Sequence, residues 1–154
     1  MKAIAMRVTV VVPHQGNVLV IRERKSSGEQ YCLPGGKIEF LETIADAVRR
    51  EVLEETGLMV EMERMLWVDE RIDRAGEGKH TIGIGVLARL TGEKTTPVPE
   101  GIEDEQIAWA GWVTPEEWNR LPLESELVRL RVNRVLSGEE TAPAYRDSLL
   151  DGEA

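Results

Sequence analysis

The chain has 154 residues, 42% of them hydrophobic, and 28 Asp and Glu against 19 Lys and Arg leave a formal charge of −9. Cys32 is the single cysteine, which excludes an intrachain disulfide and a multi-cysteine zinc site, and no apolar run approaches the roughly 20 residues that cross a bilayer. The acidic balance argues against non-specific nucleic-acid binding, which rests on Lys and Arg neutralising phosphates, but not against a small phosphorylated substrate, because bound divalent cations invert the local charge.

Length and composition predict one compact cytoplasmic domain over residues 1–138, with a tail over 139–154 that is flexible or acts as a contact arm. Met6–Val12 is rich in β-branched residues and predicts a strand closed by Pro13. Val18–Ile21 is a second apolar run, and the turn chemistry of His14-Gln15-Gly16-Asn17 joins the two as a hairpin. Ser26–Gln30 reads as a polar loop, and Leu33-Pro34-Gly35-Gly36 as another non-helical connection. From Thr43 to Thr56 the period changes. Ile44, Ala45, Val48, Val52 and Leu53 recur every three or four residues and form one helical stripe. Thr43 suits the N-cap, with Asp46 three residues on, and Gly57 suits a C-terminal stop. Leu58–Val68 and His80–Leu90 predict strands around a charged loop, Asp69–Lys79, while Gly83 and Gly85 mark a bulge or a close backbone approach. Thr95–Glu105 is a Pro- and acid-rich loop, and Ile107–Val113 a short strand. Pro115–Leu121 is a short helix opened by Thr114, and Glu124–Leu136 an amphipathic helix ending at Gly138. Strands interrupted by one central and one late helix make a mixed α/β domain.

The central helix carries an acidic cluster. Glu51, Glu54 and Glu55 stand at i, i+3 and i+4, so their carboxylates share one face. Like charges at that spacing destabilise a helix by a few tenths of a kcal/mol per pair, and the helix dipole disfavours anions near the C-terminus. A hard divalent cation relieves both penalties, since Mg²⁺ and Mn²⁺ prefer oxygen ligands.

Written out, the segment places Gly36, then five residues, Glu42, then seven residues, and Arg50-Glu51-Val52-Leu53-Glu54-Glu55-Thr56-Gly57-Leu58. It resembles the 23-residue box of the Nudix hydrolase family at every fixed position from Gly36 to Leu58. At about 10% usage per residue, seven such identities coincide by chance in about one window in 10⁷. The resemblance implies an α/β/α sandwich around a mixed β-sheet, with the box as a loop–helix–loop. It also implies hydrolysis of a pyrophosphate bond in a nucleoside diphosphate linked to another moiety: a nucleoside triphosphate, a nucleotide sugar such as ADP-ribose, or a dinucleoside polyphosphate. Glu51, Glu54 and Glu55 match the metal-binding glutamates for Mg²⁺ or Mn²⁺, and the carbonyl of Gly36 is a further ligand in some members. Arg50 matches the arginine that braces the acidic cluster, while Glu42 and Gly57 match residues that support the helix geometry. The general base is implied to be a box glutamate, with Glu54 favoured over Glu55, or a glutamate in a distant loop. Glu100, Glu103, Asp104 and Glu105 are the loop candidates, and Glu105 is preferred for its place just before the strand Ile107–Val113.

Arg22 and Arg24 alternate with Glu23, so on a strand both face one side as candidate phosphate contacts; Lys37 in the box loop is a third. Trp112 and Trp118 are expected in the core, whereas Tyr31, Trp67 and Trp109 are candidates for stacking a base. His80 is a minor substrate-contact candidate, His14 lies in a turn, and Cys32 is expected to pack, because no histidine partner accompanies it. A second copy of the chain is an expected partner, with the Glu124–Leu136 helix as a dimer face or a cover for the sheet. A catalytically inactive nucleotide-binding or regulatory module is the alternative to an enzyme, and retention of all three glutamates argues against it. Isopentenyl-diphosphate isomerase chemistry is disfavoured by the single cysteine.

Overall fold

A computed structural model describes residues 2–75, 78–99, 106–139 and 144–149. Its chain begins with strand β1 (Ala5–Val11), whose alternation sends Val8 and Val10 to one side and Arg7 and Thr9 to the other. A two-residue strand β2 (Pro13–His14) turns through Gln15 and Gly16 into β3 (Asn17–Lys25). Next come β4 (Gly28–Cys32), β5 (Gly35–Lys37) and helix α1 (Ile44–Thr56). The strands β6 (Met59–Asp73) and β7 (Lys79–Thr91) form a long antiparallel pair, followed by β8 (Ile107–Val113). Helices α2 (Pro115–Arg120) and α3 (Glu126–Leu136) precede a last strand, β9 (Ala144–Leu149).

Two sheets result. One runs β5-β1-β7-β6-β9 and is mixed, with β1 parallel to β7 and β6 parallel to β9. In the other, β3 pairs with β2, β4 and β8, all antiparallel. The apolar stripe of α1 (Ala47, Val48, Val52) buries against Val8, Val10, Ile84, Val86 and Ala88. On the opposite face a second cluster gathers Val11, Trp67, Val18, Val20, Trp118 of α2 and Val132 of α3. Helices therefore cover both sides of a mixed β core, as expected for an α/β/α arrangement. No helix among the described residues is long and apolar enough to cross a membrane.

Several boundaries differ from expectation. Ser26–Gln30 is not a loop throughout, because Gly28–Cys32 forms β4 opposite Ile21–Lys25. The loop expected at Asp69–Lys79 is much shorter, since β6 continues to Asp73 and β7 begins at Lys79. A ladder with β7 holds these charged residues in strand conformation although their composition suggests a turn. The bulges lie in β6, between Met62 and Arg64 and between Met65 and Trp67, and not at Gly83 or Gly85. Gly85 is instead a close approach: a Cβ there would sit inside the Trp67 indole. Trp67 is consequently core, only 4% exposed, and not at a pocket rim. Arg131 of α3 closes over the same ring at 4.7 Å and reaches Asp69 at 2.9 Å, fastening the helix to the sheet. The late helix begins at Glu126, not Glu124, because Ser125 is its N-cap.

Candidate active site

Local sequence fixes the helix that presents the carboxylates. The Thr43 hydroxyl accepts the Asp46 N–H at 3.0 Å, and Gly57 closes the helix at φ 73° with its N–H on the Leu53 carbonyl at 2.8 Å. Val8 and Val10 of β1 and the short β5 then set the height at which α1 lies over the sheet. Gly35 and Gly36 are required by that closeness. A Cβ on Gly35 would meet the Val8 carbonyl, and one on Gly36 would overlap the Glu51 carboxylate.

Arg50 organises the acidic face. Its Nε and Nη2 donate to the two oxygens of Glu42 at 2.6 and 2.8 Å, a bidentate pair across the loop. Nη2 also donates to the Lys37 carbonyl at 3.0 Å, and Nη1 to Glu51 at 2.8 Å and to Glu54 at 3.4 Å. These bonds hold the Glu42 carboxyl down at about 2, helped by the Glu39 N–H. Glu51 moves the other way, raised because burial outweighs the attraction of Arg50. Glu55 is 7% exposed, and burial pushes its carboxyl up to about 9. The Gly35 N–H, donated at 2.8 Å, opposes that rise, whereas the charges of Glu51 and Glu23 add to it. Glu54 is the open member of the set, with 55% of its side chain exposed.

Glu51, Glu54, Glu55, Gly35 and Gly36 share a cavity of about 320 Å³ with Arg7, Glu23, Gln106 and Ile107. Among the described residues no metal-ligating side chains are already closed into a cluster, Arg50 being hydrogen-bonded to two of the three carboxylates. The donor set nevertheless fits a hard divalent cation. It is all oxygen, and the carboxyl of Glu55 is buried with the Gly35 N–H as its donor and two like charges nearby.

A larger cavity of about 710 Å³ shares Arg7, Glu23 and Gly35 with the first and extends past Lys25, Tyr31, Cys32, Arg71, Lys79 and Trp118. Of the residues singled out from sequence, Tyr31 faces this space, and its ring meets Trp109 edge-on at 6.2 Å. Arg22 and Arg24 share a face, as alternation predicts, but Glu23 and Lys25 are the ones that line the cavities. Arg22 instead pairs with Glu29 at 2.8 Å and donates to the Tyr31 hydroxyl at 3.2 Å, and Arg24 donates to the Ile107 carbonyl at 3.2 Å. Lys37 is exposed and enters the site through its carbonyl, the acceptor for Arg50. Glu100, Glu103, Asp104 and Glu105 lie outside the described residues. Trp118 is fully buried; Trp112, expected in the core, is half-buried, meets the His14 ring at 5.2 Å in a tilted arrangement and donates to the Thr95 carbonyl. His80 meets Glu70 at 2.7 Å. Burial raises the Cys32 thiol far above its ordinary value and keeps it neutral, in line with a packing role. Arg7, Arg71 and Lys79 carry no sequence signal of their own. Strand register alone brings them to one cavity.

The NUDIX domain family matches residues 1–131. The human 8-oxo-dGDP phosphatase NUDT18 is 36% identical over 141 residues, which cover 89% of this chain and 38% of that protein. The ADP-ribose pyrophosphatase of Methanocaldococcus jannaschii is 36% identical over 90 residues, 57% of this chain and 52% of the other. The chain thus spans well under two thirds of either relative. Among solved structures, a NUDIX hydrolase from Nitrosomonas europaea superimposes with a TM-score of 0.76 at 17% identity, covering 97% of this chain and 81% of that one. At that identity the likeness is one of fold.

Proposed function

The chain belongs to the Nudix hydrolase family, and from that premise we propose that it hydrolyses the pyrophosphate bond of a nucleoside diphosphate derivative with the help of Mg²⁺ or Mn²⁺. The observation that carries this reading is the meeting of Glu51, Glu54 and Glu55 with Gly35 and Gly36 at one cavity, under the grip of Arg50. The names of the two relatives, an 8-oxo-dGDP phosphatase and an ADP-ribose pyrophosphatase, support a substrate built on a nucleoside diphosphate.

Glu51, Glu54 and Glu55 are the residues that would hold the cation, with the Gly36 carbonyl as a further oxygen. A bound divalent cation supplies charge neutralisation of the diphosphate and a water acidified toward neutrality. The remaining work falls to the protein. Arg50, locked by Glu42, keeps Glu51 and Glu54 pointed at the cavity, so the acidic face is ordered before substrate arrives. Arg7 offers a cation to phosphate oxygens on the wall opposite the helix. Glu54, the exposed carboxylate, is our choice to take the proton of the attacking water, a role its open side chain supports, and Glu105 is the alternative base from the distant loop. Positioning and electrostatics supply most of the acceleration in such a phosphoryl transfer.

Glu54→Gln keeps the size and removes the charge. In Mg²⁺ or Mn²⁺, with ADP-ribose and nucleoside di- and triphosphates as substrates, it is expected to lower kcat by about 100-fold or more. A loss of only a few-fold would move the base to the distant loop, and no hydrolysis by the parent of any pyrophosphate offered would leave the inactive binding module as the reading.

A further inference from the structure

The larger cavity has a feature that a diphosphate held at α1 does not require. Arg7 of β1 is in register with Gly83 of β7, which faces Asp69 of β6; two residues along, Thr81 faces Arg71, and then Lys79 faces Asp73. Residues in register point to the same side of a sheet, so Arg7, Arg71 and Lys79 project from one face, and all three line the cavity. By strand spacing Arg71 lies about 12 Å and Lys79 about 14 Å from Arg7 between Cα atoms. This exceeds the distance from one phosphate of an anhydride to the next.

The neighbouring carboxylates are largely committed elsewhere. Asp69 is held by Arg131 at 2.9 Å, and Asp73 does not line the cavity and turns one oxygen to the Ala75 N–H at 3.1 Å, a bond that does not cancel its charge. Glu23 stands 3.9 Å from Lys25 and also faces the acidic helix. That leaves Glu124 as the remaining acid among the described residues lining this cavity, against Arg7, Arg71 and Lys79. Arg7 is drawn by Glu51 and Glu55, whereas Arg71 and Lys79 are exposed and in no ion pair among the described residues. On a chain with a net charge of −9, an excess of cations in the cleft beside the candidate hydrolytic centre calls for an anionic occupant.

We infer that the Arg71 and Lys79 end of this cavity is a subsite for a second anionic group, a phosphate monoester on the ribose of the nucleoside diphosphate. The subsite rests on the hydrolytic reading above for its purpose, though not for its existence. Arg7 stands at the junction, shared by both cavities, with the anhydride on the helix side and the monoester on the β6–β7 side. Gly83 keeps the floor between them low, its nearest neighbour to a hypothetical Cβ being Asp69 at 3.9 Å. The monoester undergoes no chemistry here and serves only to select and orient the substrate.

Two matched pairs differ by one such group: NADP⁺ against NAD⁺, and coenzyme A against 3′-dephospho-coenzyme A. Dissociation constants measured by calorimetry with chelator present, and KM values measured with Mg²⁺, give two independent ratios. The full chain is expected to favour the phosphorylated member of at least one pair at least tenfold. In an Arg71→Ala/Lys79→Ala double variant that ratio is expected to fall to within twofold, whereas Lys79→Arg retains it. Equal treatment of both members by the parent, or a preference that survives in the double variant, overturns the subsite. A binding ratio that behaves as expected without turnover of any member supports the subsite and overturns the hydrolytic reading instead.

Discussion

Arg50 and Leu41 show how differently two residues of one loop–helix unit are used. Arg50 binds Glu42, Glu51, Glu54 and the Lys37 carbonyl at once, so its replacement would release both the loop and the acidic face. Leu41 sits in the turn that Glu42 closes with its N–H on the Glu39 carbonyl at 3.0 Å. Its φ is 67°, a left-handed conformation that a leucine adopts at a cost, and its side chain is 89% exposed next to an equally bare Phe40. No burial compensates that cost. Leu41→Gly is therefore expected to raise stability by about 0.5–1 kcal/mol once the extra freedom of glycine in the unfolded chain is subtracted. Thermal unfolding in chelator checks this, with an expected rise of about 1–4 °C. A fall would mean that the exposed leucine makes a contact the fold relies on.

At the scale of the element, α1 is latched to its preceding loop by a pair whose strength depends on acidity. The Glu42 carboxyl is held at about 2 in the fold against an ordinary 4.5, because Arg50 and the Glu39 N–H favour its charged form. A depressed carboxyl adds stability above its unfolded value and loses it as pH falls through the folded value. The latch is thus complete above about pH 4.5 and fades toward pH 2. Urea titrations across that window should show Glu42→Gln less stable than the parent near neutrality and less sensitive to acid below pH 4.5. Parallel curves for the two proteins would place the acid response elsewhere.

The same helix was the most legible element in the sequence, since its cap, stripe and stop are all local. Thr43, the period of Ile44, Val48 and Val52, and Gly57 need no distant partner to be read, although Leu53 leaves the stripe and is 44% exposed. β4 and the outer half of β6 were not legible for the opposite reason. Gly28-Glu29-Gln30 and Asp69–Asp73 have loop-like compositions, and only pairing with β3 and β7 makes them strands. The site divides along the same line. The acidic helix face follows from spacing and the part of Arg50 from the resemblance to the Nudix box, whereas Arg7, Glu23, Lys25, Arg71 and Lys79 reach the cavities through register, which no local pattern encodes. Alternation correctly paired Arg22 with Arg24, but could not say which side of β3 faces inward.

For the molecule as a whole, the order of strands differs sharply from the order of the chain. β1 lies between β5 and β7, and β7 is parallel to it. Val8 and Val10 share their cluster with Ile84, Val86 and Ala88, so the floor on which α1 rests is complete only when the seventh strand is in place. A chain cut after Gly78 keeps the whole acidic helix and lacks that floor. Limited proteolysis is expected to degrade it throughout, against fragments of resistant core from the full chain; a protected α1 in the short form would show that β1 and β5 suffice.

During synthesis this has a further effect. The ribosome delivers β1 first and its parallel neighbour more than sixty residues later, so everything up to Thr91 must leave the exit tunnel before the first strand is flanked on both sides. Until then the growing polypeptide presents a bare row of valines to the cell, and nascent-chain chaperones have that interval in which to meet it.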